Sequence, residues 1–135
     1  MSADLKHSHN RQLILQHLET TSGAHLSATT VHHQLALRGH KMALSTTYSN
    51  LDALCKAGLI GDVYSTQGER LFERHAEAHH HLLCEACGAV QDLAPDALSG
   101  ACLRDLAAQA GALGWRLEPL RLTLVGRCPE CSETP

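Results

Sequence analysis

The stretch Ser45-Thr-Thr-Tyr-Ser-Asn-Leu-Asp-Ala-Leu-Cys-Lys-Ala-Gly58 has the layout of a short capped helix. Ser45 can accept an amide hydrogen bond at the N-cap, Leu51, Leu54 and Cys55 form an apolar stripe at helical spacing, and Gly58 sits at the stop position. Working back, Ser27 caps a second helix with Val31, Leu35 and Ala36 on one face and Gly39 at its end, and an earlier helix over 10–19 places Leu13, Ile14 and Leu18 together. Two helices joined by a short turn, the second with a polar start, form a helix-turn-helix. Working forward, 59–64 and 70–73 read as two strands around Ser65-Thr-Gln-Gly-Glu69, where Gly68 can adopt positive φ. That hairpin is the expected wing.

From residue 75 the composition shifts to His, Cys and acids, which predicts two domains, 1–74 and 75–135. The second reads as strands at 81–84 and 89–93, a helix over 96–110 with Leu98, Cys102 and Leu106 on one face, and a last strand. In that strand Leu120, Leu122 and Leu124 alternate with Arg121, Thr123 and Val125, so one face can be buried. The fold class expected is α+β: an N-terminal winged helix-turn-helix and a C-terminal α/β domain.

The chain has 135 residues, of which 44% are apolar, 19% charged and only 3% aromatic. That suits one domain or two very small ones with a core of Leu, Ala and Val, and disfavours a large enzyme. No apolar run reaches membrane-spanning length and no targeting segment is readable, so the expectation is a cytoplasmic protein without a membrane partner. The net charge of -3 is uneven. Residues 1–61 carry five Lys/Arg against three Asp/Glu, hence +2, and the remainder carries -5. A polyanion partner for the first half fits this asymmetry.

Six cysteines in a chain expected in a reducing compartment point to metal or redox chemistry. Cys84-Glu-Ala-Cys87 and Cys128-Pro-Glu-Cys131 are two CxxC knuckles that can wrap four thiolates around one zinc ion. Such a closed site is structural, since no coordination position stays open for a substrate; a redox dithiol needs only one of the two pairs. Cys55 and Cys102 lie on apolar stripes and read as core. In His79-His80-His81 an extended backbone would point His79 and His81 to one side, either as ligands of a second ion or as a solvated patch.

These residues together resemble the ferric uptake regulator (Fur) family of metal-responsive repressors. The stretches that carry the resemblance are His25-Leu-Ser-Ala-Thr-Thr-Val31, Leu44-Ser-Thr-Thr-Tyr-Ser-Asn-Leu51, Lys56-Ala-Gly-Leu-Ile60, Phe72-Glu73, His79-His-His-Leu-Leu-Cys-Glu-Ala-Cys-Gly88 and Gly126-Arg-Cys-Pro-Glu-Cys131. The resemblance implies a homodimer that binds palindromic promoter DNA through its winged domain and dimerises through the C-terminal one. It implies structural zinc on Cys84, Cys87, Cys128 and Cys131, and a regulatory ion at the hinge on His25, Glu73, His79 and His81. Imidazoles and a carboxylate favour Fe(II) or Mn(II), with Zn(II) as the alternative. A zinc-sensing member would draw on His75 and Asp62, and Asp92 matches a ligand of the peroxide-sensing branch. A further family site would fall on Ala78, His80, Ser99 and Leu120, too few ligands to hold an ion.

For DNA, the resemblance and the polar helix start together nominate Arg11, Thr46, Thr47, Tyr48, Ser49 and Asn50, with Lys41 and Lys56 as phosphate partners. The chain departs from the family in carrying Tyr48-Ser49 where a Tyr-Arg pair is usual, and Ser8-His-Asn-Arg11 for Thr-Pro-Gln-Arg. Loss of that arginine is expected to weaken DNA binding and flatten its salt dependence by about one unit of slope. Two other classes compete with the repressor: an enzyme using the histidines as an open metal site, disfavoured by four-ligand closure, and a zinc-stabilised protein-interaction module that no longer binds DNA.

Overall fold

The computed structural model describes residues 2–77, 79–117 and 121–133, and separates into two compact units, 1–77 and 78–135. No helix among the described residues is long and apolar enough to cross a membrane.

The first unit opens with α1 (Ser2–Thr20), longer than the helix expected over 10–19. Nothing between Ser2 and Thr20 breaks it, since no Gly or Pro occurs there. A two-residue strand, β1 (Leu26–Ser27), precedes α2 (Ala28–Leu37), and is too short to show in any hydrophobic pattern. Ser27 caps α2 as expected, its Oγ accepting the Thr30 amide at 3.1 Å. The next helix, α3 (Leu44–Lys56), starts two residues earlier than a Ser45 N-cap allows. Its N-cap is Ala43, which offers no side-chain acceptor, and Ser45 lies inside the first turn.

The hairpin follows as β2 (Gly61–Tyr64) and β3 (Arg70–Glu73), turning through Gly68 at φ 80. These strands and β1 form an antiparallel sheet in the order β1-β3-β2. Phe72 stands opposite both Leu26 and Asp62, so these side chains share the face that packs on the helices. Ile14, Leu18, Val31, Leu35, Leu51, Leu54, Ile60 and Phe72 make one buried cluster. Glu73 lies on the other face.

The second unit contains β4 (His80–Cys84), β5 (Val90–Leu93), a 3-10 turn at Pro95–Ala97, α4 (Gly100–Ala112), β6 (Thr123–Gly126) and the short α5 (Pro129–Ser132). The α4 helix begins later than expected because Ser99, accepting the Cys102 amide at 3.1 Å, supplies the cap. Strand order is β5-β4-β6, with β4 antiparallel to β5 and parallel to β6.

One core expectation fails here: Cys102 is exposed, as is nearly all of α4. Every residue of β6 is exposed too, so its alternating face is not buried against the helix, which leaves a partner chain as the expected cover. Among the described residues of this unit no layer covers these faces. Leu120, expected to begin the strand, lies outside the described residues together with Ala78.

Candidate metal centres and nucleic-acid face

The parallel pairing of β4 with β6 sets Cys84 opposite Gly126, so the two CxxC knuckles leave the sheet at the same edge. Cys84 ends β4, Cys87 lies in the turn toward β5, Cys128 caps α5 and Cys131 sits within it. The four sulfurs all lie within 4.8 Å of one another. Zinc–sulfur bonds of about 2.3 Å in a tetrahedron put sulfurs about 3.8 Å apart. The Cys87 and Cys128 sulfurs are 3.7 Å apart, so the donor set fits such an ion without rearrangement of the strands. The backbone favours charge at one sulfur in particular. Amides of Cys128 and Cys87, each at 3.4 Å, pull the Cys84 thiol down to about 6. Cys131 is pushed up to about 12 by its contacts with the sulfurs of Cys128, Cys84 and Cys87.

The sheet of the same unit explains a second cluster. In the β4–β5 ladder His81 pairs directly with Asp92, and the two side chains share a face. Asp92 Oδ1 lies 2.9 Å from His79 Nε2 and 3.2 Å from His81 Nε2, and the two rings are 4.4 Å apart. The alternation expected for His79 and His81 is thus present, and Asp92 joins them through strand register. His80 points to the opposite side, buried, with Nδ1 accepting the Leu122 amide at 3.0 Å. It clamps β4 to the segment entering β6.

In the first unit, extending the β1–β3 register by one residue sets His25 opposite Glu73. His25 Nε2 lies 3.0 Å from Glu73 Oε2, with both side chains almost fully buried. Gly61 faces Glu73 across the β2–β3 ladder, and a Cβ there would collide with the His75 carbonyl oxygen and crowd Glu73. Glycine at this position therefore makes room for the His75 carbonyl and the stem of the Glu73 side chain. The His75 side chain is exposed. Asp62 stands on the opposite sheet face from Glu73 and accepts Arg70 Nε at 2.8 Å, which corrects its expected use as a metal ligand.

The start of α3 is also less open than its polarity suggested. Thr47 and Asn50 are buried, which corrects their assignment to an exposed reading surface. They fall on the same helical stripe as Leu51 and Leu54, and both are satisfied locally. Thr47 Oγ1 donates to the Ala43 carbonyl, and Asn50 Nδ2 to that of Thr46. Arg11, exposed on α1, donates through Nε to Asn50 Oδ1 at 3.0 Å. Tyr48 and Ser49 are exposed, and Thr46 half-buried. Composition gave no sign of Arg70, which donates to Tyr48 Oη and Asp52 Oδ1 as well as to Asp62. Only the hairpin register could have hinted at it, by putting Arg70 on the face of Phe72 and Asp62.

Residues 2–124 match the profile of the ferric uptake regulator family. The chain belongs to that family. It is 33% identical over 129 residues to the Ferric uptake regulation protein of Escherichia coli (strain K12), covering 95% of this chain and 84% of that one. It is 29% identical over 123 residues to the Peroxide operon regulator of Bacillus subtilis (strain 168), covering 91% and 81%. Its fold is shared with the ferric uptake regulator of Francisella tularensis solved with iron, at a TM-score of 0.76 and 23% identity over 92% of each chain. The Fur family consists of metal-responsive transcription regulators, among them iron, peroxide, zinc and manganese regulators. Winged helix-turn-helix followed by a dimerisation domain is the Fur fold, and this chain has it.

Proposed function

We propose that this chain is a metal-dependent transcriptional repressor of metal uptake or homeostasis genes, acting in the cytoplasm as a homodimer on palindromic promoter DNA. The observation that carries the reading lies in one strand. β3 holds Glu73 beside His25 at one end, and at the other holds Arg70 against α3. A carboxylate–imidazole pair is half of a divalent-metal donor set, and His79, His81 and Asp92 on the second unit offer the other half. An ion drawing ligands from both sets is satisfied in one arrangement of the two units only, which selects the dimer whose α3 helices fit major grooves about 34–36 Å apart. Unit 1–77 is then the DNA-binding domain and unit 78–135 the dimerisation domain.

The donor set favours Fe(II) or Mn(II) at this regulatory site. Zinc belongs on Cys84, Cys87, Cys128 and Cys131, as a structural ion holding the second unit together. Ser49, Tyr48, Thr46 and Arg11 remain the groups proposed to meet DNA. Within the same family the Asp92 contacts to both histidines support a peroxide-sensing variant, in which a histidine-bound iron is oxidised.

The test is fluorescence anisotropy on duplexes selected from a random pool, with protein loaded with Fe(II), Mn(II) or Zn(II) against protein stripped of its exchangeable ion by mild chelation that leaves one zinc per chain on the cysteines. Binding is expected only with metal, and the His79→Ala/His81→Ala variant is expected to lose that response while keeping its cysteine-bound zinc. Equal DNA binding with and without metal would overturn the reading. Failure to select any duplex, at low salt and with every metal, would put the protein-interaction module in its place. Loss of iron-dependent binding after brief peroxide treatment distinguishes the peroxide-sensing variant.

A further inference from the structure

We propose that Arg70 is a positioning residue for DNA reading: it holds Tyr48 in the orientation that the proposed repressor presents to base edges. The inference rests on the DNA-binding reading above. With serine at position 49, Tyr48 is the largest side chain on the outer side of the first turns of α3, and it is 44% exposed. An exposed tyrosine ordinarily samples several rotamers, and ordering it on contact with a partner lowers affinity.

Here the ring is already held on two sides. Arg70 Nη1 donates to Tyr48 Oη at 2.9 Å, and the ring meets Phe72 edge-on, with centroids 6.3 Å apart at 82°. The guanidinium carbon lies 4.9 Å from the Phe72 centroid and 5.6 Å from that of Tyr48.

Arg70 is itself fixed. Its Nε donates to Asp62 on β2 at 2.8 Å and its Nη1 to Asp52 on α3 at 3.0 Å, and its side chain is 15% exposed. One planar fork thus spans both strands of the wing and the helix it packs on, a geometry that lysine cannot reproduce with a single nitrogen. Arg70, together with Lys56 at 3.0 Å from Asp52, also neutralises two carboxylates that would repel phosphates. The charge and the geometry are therefore separable by substitution: Arg70→Lys keeps the first and loses the second.

The experiment uses metal-loaded full chain and two probes, a duplex selected from a random pool by the wild type and a scrambled duplex of equal length. Arg70→Lys and Tyr48→Phe are each expected to weaken binding to the selected duplex about five- to tenfold, leaving the scrambled duplex unchanged. The double variant is expected to lose no more than the worse single one, because both changes remove one interaction. Tyr48→Phe deletes a single oxygen from a partly exposed ring, so it reports even if Arg70→Lys melts early. Wild-type discrimination in either single variant, or losses that multiply in the double, would overturn the positioning role while the repressor reading stands. A wild type that selects no duplex overturns that reading itself, and this inference with it.

Discussion

The two halves of this chain are stabilised by different means. The first unit buries Ile14, Leu18, Val31, Leu35, Leu51, Leu54, Ile60 and Phe72 in one cluster from three helices and the hairpin. In the second, Leu83 and Cys84 are the buried apolar side chains among the described residues, while Leu82, Leu106, Trp115, Leu124 and Val125 are exposed. A groove of about 320 Å³ lies on its sheet, with Leu82, Val90 and Leu124 in its walls. A unit of this size with so little buried apolar surface is marginal on hydrophobic grounds. On the proposed reading, metal ligation in the knuckles and burial of the exposed faces in a homodimer would complete it. On that reading the same short chain divides its labour: a first unit with its own apolar core, and a second whose fold would depend on metal and partner.

The comparison is broken most sharply by removing metal. Chelation, or Cys128→Ser, is expected to unfold the second unit while the first keeps its helical circular dichroism signal, since structural zinc in small domains supplies about 10–16 kcal/mol of apparent binding free energy. A single cooperative loss of both units would contradict the division. The same site has a pH sign. Ligation needs thiolates, and with Cys131 pushed up to about 12 a proton must leave on binding. Zinc affinity is therefore expected to fall as pH falls, with proton release measurable by titration calorimetry in two buffers of different ionisation enthalpy.

In the first unit the largest expected effect is Phe72→Ala. It truncates a fully buried ring at the meeting of sheet and helices and is expected to cost about 3–5 kcal/mol in urea unfolding, leaving metal content at the cysteines unchanged. Ser27→Ala is the smallest: losing the cap of α2 is expected to cost about 1 kcal/mol, and an effect below a few tenths would show that the Thr30 amide finds water instead.

Much of this was legible in the sequence, for reasons that particular residues make plain. Leu51 and Leu54, Val31 and Leu35, and the turn at Gly68 obey local rules, so the helices and hairpin of the winged unit follow from spacing, although β1 does not. The CxxC pairs are readable because thiolate chemistry demands two short-range donors twice. What was not legible depends on register. The resemblance named His25, Glu73, His81 and Asp92, but spacing could not show that Asp92 meets His81 or that His25 meets Glu73, because strand partners in the completed sheets fix those contacts. Polarity also misled at Thr47 and Asn50, which looked solvent-facing but are buried with their hydrogen bonds met within the helix. Cys102 misled in the other direction, since an apolar stripe states that a face needs covering and not that its own chain will cover it.

The parallel pairing of β4 with β6 bears on how the protein is made. Cys84 and the Cys128 amide that approaches it are separated by 44 positions. At roughly 5–20 residues per second, the ribosome needs several seconds to deliver the second knuckle after the first. Throughout that interval Leu82 and Leu83 lack one of their neighbouring strands, and the first pair of thiols stands without its counterpart. The winged unit meets no such delay, because its sheet is complete once Glu73 has been added. Nascent chains should therefore pass through a stage with a finished N-terminal reader and an unfinished, chaperone-accessible remainder, and zinc supply during translation, not only afterwards, would set the yield.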